Sequence, residues 1–369
     1  MVFSSSKWIA ALSLLSLGFP SCASGPTGRR IQGGGALFRV PSDTVWTRNV
    51  FAGQKGRRLV RSWVAGKWVL LETADHFLVG LELQDGRPSF EVEVGQALAF
   101  PPTAEGDRIA LVTSGRLVLL EGHSGRLLVD KRLDFLPAGP PSILGNSIYL
   151  ATLEGNRIVS FSARTGREGW SWRSRQGAPS AGPVVCSVQG DVFLVEALDS
   201  GTVVGLNALP AETGGPREPL WRARQMGPAG AGLRARKEIA YLASTDTRVY
   251  ALAGNTGSIL WVFPAGSPCL GAPALSGERT YVRAEGNFFC LDTATGRKVW
   301  SISEDLAFLS AGPGSTYLVS RKGELVKVEA ETGEILERYP TPGMTWTRNE
   351  TDGTLVGFTS RGLVMAFRP

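Results

Sequence analysis

A chain of 369 residues could hold two average domains, although closed β architectures of this size run as one unit. Its 43% hydrophobic and 20% charged residues suffice for a sizeable core and exclude a disordered or fibrous chain, while 46 Gly, 22 Pro and 10 Trp suit many short strands joined by tight turns. The net charge of +6 raises nucleic acid as a partner, but Arg and Lys stand singly, several just after turn glycines (Arg87, Arg126, Arg167, Arg297), and no basic run interleaves with aromatics, so no nucleic acid is expected.

The N-terminus reads as an address. Lys7 precedes the apolar run 8–19 (WIAALSLLSLGF) and then small residues, the pattern of a secretory signal peptide over residues 1–22. The run is too short to span a bilayer core of about 30 Å. Two cleavage readings compete. Ser21 and Ala23 suit ordinary signal peptidase, whereas Cys22, behind small Ser21 and a few residues after Leu17, resembles a bacterial lipoprotein cysteine, with Phe19 and Pro20 departing from that pattern. Acylation of Cys22 is the preferred reading. Ala23, where an Asp would signal inner-membrane retention, then points to a periplasm-facing outer-membrane lipoprotein; a soluble periplasmic protein is the alternative. Residues 23–35, rich in glycine, read as a flexible tether.

Beyond the tether the chain repeats with a period near 40 residues. Turns of the form (Asp/Ser/Thr)-Gly end at Gly86, Gly125, Gly166, Gly214, Gly257, Gly296 and Gly333, which lie 37 to 48 residues apart by their numbers. The unit over residues 270–303 reads as four strands: a proline opening at Pro273, a turn at Gly277 before Thr280-Tyr281-Val282, a turn at Gly286 before Phe288-Phe289-Cys290, and Thr295-Gly296 before Val299-Trp300. Such sheets cannot bury both faces alone and must stack, which predicts a β-propeller. After the seventh turn three more strands follow, near residues 344–348, 354–359 and 363–367, and the chain ends. The expected fold is therefore all-β, an eight-bladed propeller of four-stranded antiparallel blades over residues 36–369. The eighth blade is closed by the N-terminal strand Ala36–Val40 pairing with Leu363–Phe367.

The two histidines, His76 and His123, and the four cysteines, Cys22, Cys186, Cys269 and Cys290, include no closely spaced pair. No zinc, haem or Cys/His nucleophile site is expected, and neither a catalytic residue nor a cofactor. With Cys22 acylated, the other three cysteines are odd in number and sit in apolar stretches, so they read as buried free thiols.

Residues 290–300 (CLDTATGRKVW) resemble the tryptophan-docking repeat of quinoprotein-type propellers, Ala-x-Asp-x-x-Thr-Gly-x-x-x-Trp, with Cys290 for the alanine. Thr165 to Trp170 and Thr256 to Trp261 keep the second half of the repeat; Phe90, Val129 and Glu337 replace the tryptophan elsewhere, and residues are inserted between Gly214 and Trp221. Trp170, Trp221, Trp261 and Trp300 are expected to dock neighbouring blades, each through a large apolar face and one N–H. Quinone-dependent dehydrogenases of this class are longer and carry adjacent cysteines that are missing here. In size, signal, anchor and blade number the chain is more similar to the BamB family of outer-membrane barrel-assembly lipoproteins. That resemblance implies a non-catalytic scaffold whose partner is the periplasmic part of the barrel insertase, the alternative being a quinone-dependent or other small-molecule-binding propeller.

Three interblade connections, residues 131–138 (KRLDFLPA), 173–180 (RSRQGAPS) and 222–230 (RARQMGPAG), combine arginine with apolar or amide groups on one face. Arg132, Phe135, Arg173, Arg175, Arg224 and Met226 are the expected partner surface, the alternative being that Phe135, Leu136 and Met226 plug the gaps between blades.

Overall fold

The computed structural model describes residues 29–33 and 36–40 by their backbone, and residues 43–368 in full apart from 55, 212, 217, 225 and 228–231. The signal peptide and Cys22 lie outside the described residues. Eight four-stranded antiparallel sheets follow one another. Blades 1 to 7 occupy residues 59–93, 103–132, 142–173, 184–223, 233–264, 274–302 and 306–339, each running outward strand by strand in chain order. Blade 8 consists of Met344–Thr347, Leu355–Thr359 and Leu363–Phe367, and its outer strand is Thr44–Asn49.

The burial of each strand follows from its place in the blade. A middle strand has a neighbouring blade on both faces, so it is mostly apolar and does not alternate: Trp68–Thr73, Ser147–Ala151 and Leu355–Thr359 are buried at every residue. An outer strand meets solvent and buries little more than the residue at the docking position, Phe90 in Pro88–Glu93 and Trp261 in Ile259–Pro264. The turn before the outer strand is the same in six blades. Gly86, Gly125, Gly166, Gly257, Gly296 and Gly333 each have φ between 67° and 77° and donate their N–H to the carbonyl four residues back.

The core is distributed rather than central. Eight apolar clusters lie one at each seam between adjacent blades, the last joining blade 8 to blade 1 through Trp46, Phe51, Leu59, Val69, Val356 and Val364. The ring is closed by apolar burial as well as by hydrogen bonds.

Two expectations about the N-terminus are corrected. The strand that pairs with Leu363–Phe367 is Thr44–Asn49, with Asn49 opposite Leu363 and Thr44 opposite Phe367. Ala36–Val40 instead forms a two-stranded hairpin with Arg29–Gly33 outside the ring, so the stretch read as a tether is partly strand. The physical reason is Trp46: Thr44–Asn49 carries an indole that docks on the Leu83 carbonyl and Gly86 of blade 1, and Ala36–Val40 carries none.

Candidate functional site

The four tryptophans singled out in the sequence form part of a collar near the outer rim. Their indole N–H groups cross to the next blade: Trp170 to the Leu209 carbonyl at 3.1 Å, Trp221 to Gly254 at 2.9 Å, Trp261 to Thr293 at 3.0 Å and Trp300 to Ala330 at 2.8 Å. Each ring lies on a turn glycine of that blade. A Cβ on Gly257 would come within 2.2 Å of the Trp221 ring, so only glycine allows the approach. In the inserted fourth repeat the glycine under Trp170 is Gly215, not Gly214. Trp46 completes the collar, bonding the Leu83 carbonyl at 2.9 Å and lying on Gly86. The dipeptide Val45-Trp46 matches Val299-Trp300 and was the available signal for it.

The interblade connections and the hairpins between second and third strands share one face. On it Arg132, Arg173, Arg175 and Arg224 are exposed. Phe135 and Met226 are not: they keep 7% and 2% of their surface and plug the blade 2/3 and blade 4/5 seams. Phe135 packs on Phe161 with ring centroids 6.3 Å apart, and the Met226 backbone is clipped to Gly201. Extended chain alternates, so the side chain beside Phe135 turns outward. Leu136 is 45% exposed, and its carbonyl accepts from the N–H of Leu153, itself 54% exposed. An apolar pair thus stands where Phe135 was expected.

Arg173 and Arg175 come together in a cleft of about 580 Å³ between blades 3 and 4, with Trp172, Gln176, Pro216 and Arg222 in its wall. Arg222 is held by Glu218 at 2.5 Å. Arg132 and Arg224 lie outside this cleft, while Arg222, part of a stretch noted in the sequence, lies in it.

A second feature, not anticipated from sequence, crosses the central channel. Blades 1 to 7 join their first two strands by two-residue turns, whereas blade 8 uses residues 348–354. Asn349 fixes the start of this longer loop by donating its N–H to the Leu309 carbonyl at 2.6 Å. Arg348 then reaches blade 6, donating to the carbonyls of Ala272 at 3.1 Å and Pro273 at 2.5 Å, and Glu350 accepts from the Leu275 N–H at 2.7 Å. Glu350 also pairs with Arg348 at 2.7 Å and stands 3.8 Å from Arg234 of blade 5. Enclosure within the channel, which thins the water around it, together with the Arg348 charge holds the Arg234 pKa below the usual arginine range.

The remaining candidates for chemistry are apart. Cys186, Cys269 and Cys290 are free and buried, and desolvation pushes their thiols up to about 12, about 11 and about 12, which keeps them protonated. His123 contacts Asp107 at 2.5 Å and packs edge-on against Trp68 at the rim, while His76 occupies a turn at φ 65°. Among the described residues no three of His, Cys, Asp and Glu are grouped so as to hold a metal ion.

With this geometry in hand the chain can be placed among known proteins. Residues 36–217 and 206–356 match a family model described as outer membrane protein assembly factor BamB. The outer membrane protein assembly factor BamB of Burkholderia pseudomallei is 24% identical over 381 residues, covering 95% of each chain. Among solved structures, BamB from Moraxella catarrhalis superposes with a TM-score of 0.65 at 14% identity, over 88% of this chain and 98% of that one. The quinohemoprotein alcohol dehydrogenase of Comamonas testosteroni gives 0.62 at 11% identity, over 88% and 76%. At such identities the structural likenesses establish the propeller fold alone.

Proposed function

The chain belongs to the BamB family of outer membrane protein assembly factors, and from that premise we propose that it is a non-catalytic scaffold assisting the assembly and insertion of outer-membrane β-barrel proteins. The observation that carries the reading is the family match along both halves of the ring, which includes blades 1 to 7 entire. In this reading acyl chains on Cys22 hold the protein at the outer membrane, facing the periplasm. More than one chain is needed for stable anchoring, and the bacterial modification supplies several. Residues 23–41 then set the ring off from the bilayer.

The partner is the periplasmic part of the barrel insertase, and it docks on the face that carries the interblade connections. Arg173, Arg175 and Arg222 in the cleft give a basic wall, and exposed Leu136 and Leu153 give an apolar contact beside it. Arginine suits such a place because its planar fork bonds carboxylates and stacks on aromatic rings. Arg132 and Arg224 are placed at the rim, where a charge changes the rate of encounter more than the affinity. The experiment is co-purification from envelope extracts. Arg175→Glu with Arg224→Glu is expected to abolish recovery of the insertase while the ring stays folded; undiminished recovery would place the partner elsewhere.

A further inference from the structure

The inner strands enclose a channel, and one chamber of it, about 550 Å³, is walled by blades 2 to 6. A chamber of this size takes a small molecule, and its chemistry follows from which wall groups are uncommitted. Most of the wall is apolar, with Phe100, Pro101, Ile143, Val185 and Leu233 on it. Its hydroxyls are already engaged within the ring. Thr103 donates to the Pro141 carbonyl at 2.7 Å, Ser142 to that of Pro183, and Ser180 to that of Ala197 at 3.0 Å.

Arg234 is different. Among the described residues it is the one charged side chain of this wall. Its contacts are long, 3.4 Å to the Leu233 carbonyl and 3.8 Å to Glu350, against 2.7 Å or less for Arg348 to Glu350 and Pro273. Glu350 is thus committed to Arg348 and to the Leu275 N–H, and among the described residues the Arg234 guanidinium is left incompletely matched. The side chain is 38% exposed, and the chamber is the space it opens on.

We infer that the chamber binds a small amphipathic monoanion, an apolar body bearing one carboxylate, with the head on Arg234 and the body against the accessible Phe100, Pro101 and Val185. A guanidinium fork in a largely apolar pocket meets a carboxylate with two parallel charge-assisted bonds. A dianionic head fits worse, because Glu350 already offsets part of the positive charge that would face it. This inference stands apart from the scaffold role, since it uses the channel and not the outer loops.

Calorimetry on the mature chain with octanoate, octanol and inorganic phosphate tests it. Octanoate is expected to bind at one site, with octanol and phosphate much weaker. Arg234→Gln should weaken octanoate by about tenfold or more, the cost of one charge-assisted pair. Glu350→Gln should strengthen it, because the competing charge is gone while the amide oxygen still accepts from Leu275. That opposite sign is what a merely structural role would not produce, and it keeps the test decisive if Arg234→Gln fails to fold. Equal affinity for octanol or phosphate, no octanoate binding, or octanoate binding unchanged in both variants would overturn the assignment.

Discussion

Glu196 is the residue whose environment departs furthest from its chemistry. It lies in the second strand of blade 4, fully buried, with the backbone N–H groups of Ala197, 3.1 Å from Oε1, and of Ala181 as its polar neighbours. Burial raises its pKa well above the ordinary carboxyl value, so the folded state keeps a proton that the unfolded chain releases. The sign follows directly. Stability falls as pH rises above the unfolded value of about 4.3, at about 1.4 kcal/mol per pH unit from this group, until the folded pKa is reached. Glu196→Gln is neutral and nearly isosteric. It should remove that slope and leave the variant more stable than the parent at pH 7, as denaturant melts across the range would show; parallel curves for the two proteins would refute the assignment. At this scale a sequence is legible where a residue type has one use and opaque where alternation decides. Trp170, Trp261 and Trp300 stood out because an indole four residues past Thr-Gly has few other roles. Phe135 and Met226 were misplaced because a connection with no regular period does not reveal which of Phe135 and Leu136 faces inward. Arg234 and Glu350 were invisible, since they meet only after blades 5 and 8 are set around the same channel.

Among elements, the closing strand carries the most consequence. Thr44–Asn49 provides the fourth strand of blade 8, the Trp46 indole and the backbone partners of Leu363–Phe367. Arg57, just beyond it, sits over the Phe51 and Phe77 rings and is paired with Asp75 and Glu91 of blade 1, which fastens the strand's exit. A chain beginning at residue 42 should melt like the mature protein, whereas one beginning at residue 51 should lose at least about 3 kcal/mol, the scale of a single buried Trp truncation, and associate through its exposed edge. Calorimetric unfolding and size-exclusion chromatography of the two truncations would check this, and equal behaviour would reject Thr44–Asn49 as the clasp. The sequence made the need for a borrowed strand evident, because three final strands had no fourth. Both Ala36–Val40 and Thr44–Asn49 have strand-like patterns, and the one sequence signal between them, Val45-Trp46 matching Val299-Trp300, takes its meaning from the seam with Leu83 and Gly86.

For the molecule as a whole, the blade count was legible because six blades repeat the same turn glycine and a seventh carries an enlarged version of that turn, and the structure adds that every blade is held by two apolar seams. A propeller of this construction has no blade that stands alone, so its stability depends on the ring being complete. The channel loop from blade 8 adds a strut between blades 5, 6 and 8 that nearest-neighbour stacking would not supply.

The clasp also sets an order of events. Asn49 must find Leu363, and more than three hundred residues separate them along the chain. The entropy of closing so long a loop grows only logarithmically with its length, by about 0.6 kcal/mol per doubling, so the obstacle is one of timing more than of energy. While the chain emerges from its amino end, blade 1 can form with one flank bare, and the apolar side of Val69, Leu71, Val79 and Leu81 waits for residues made last. The newborn protein is therefore itself an unfinished β-sheet in need of protection until its final turn of sequence arrives. Refolding should accordingly show a slow phase, reported by Trp46 fluorescence, that vanishes when the two termini are joined by a linker and new ends are opened at a blade boundary.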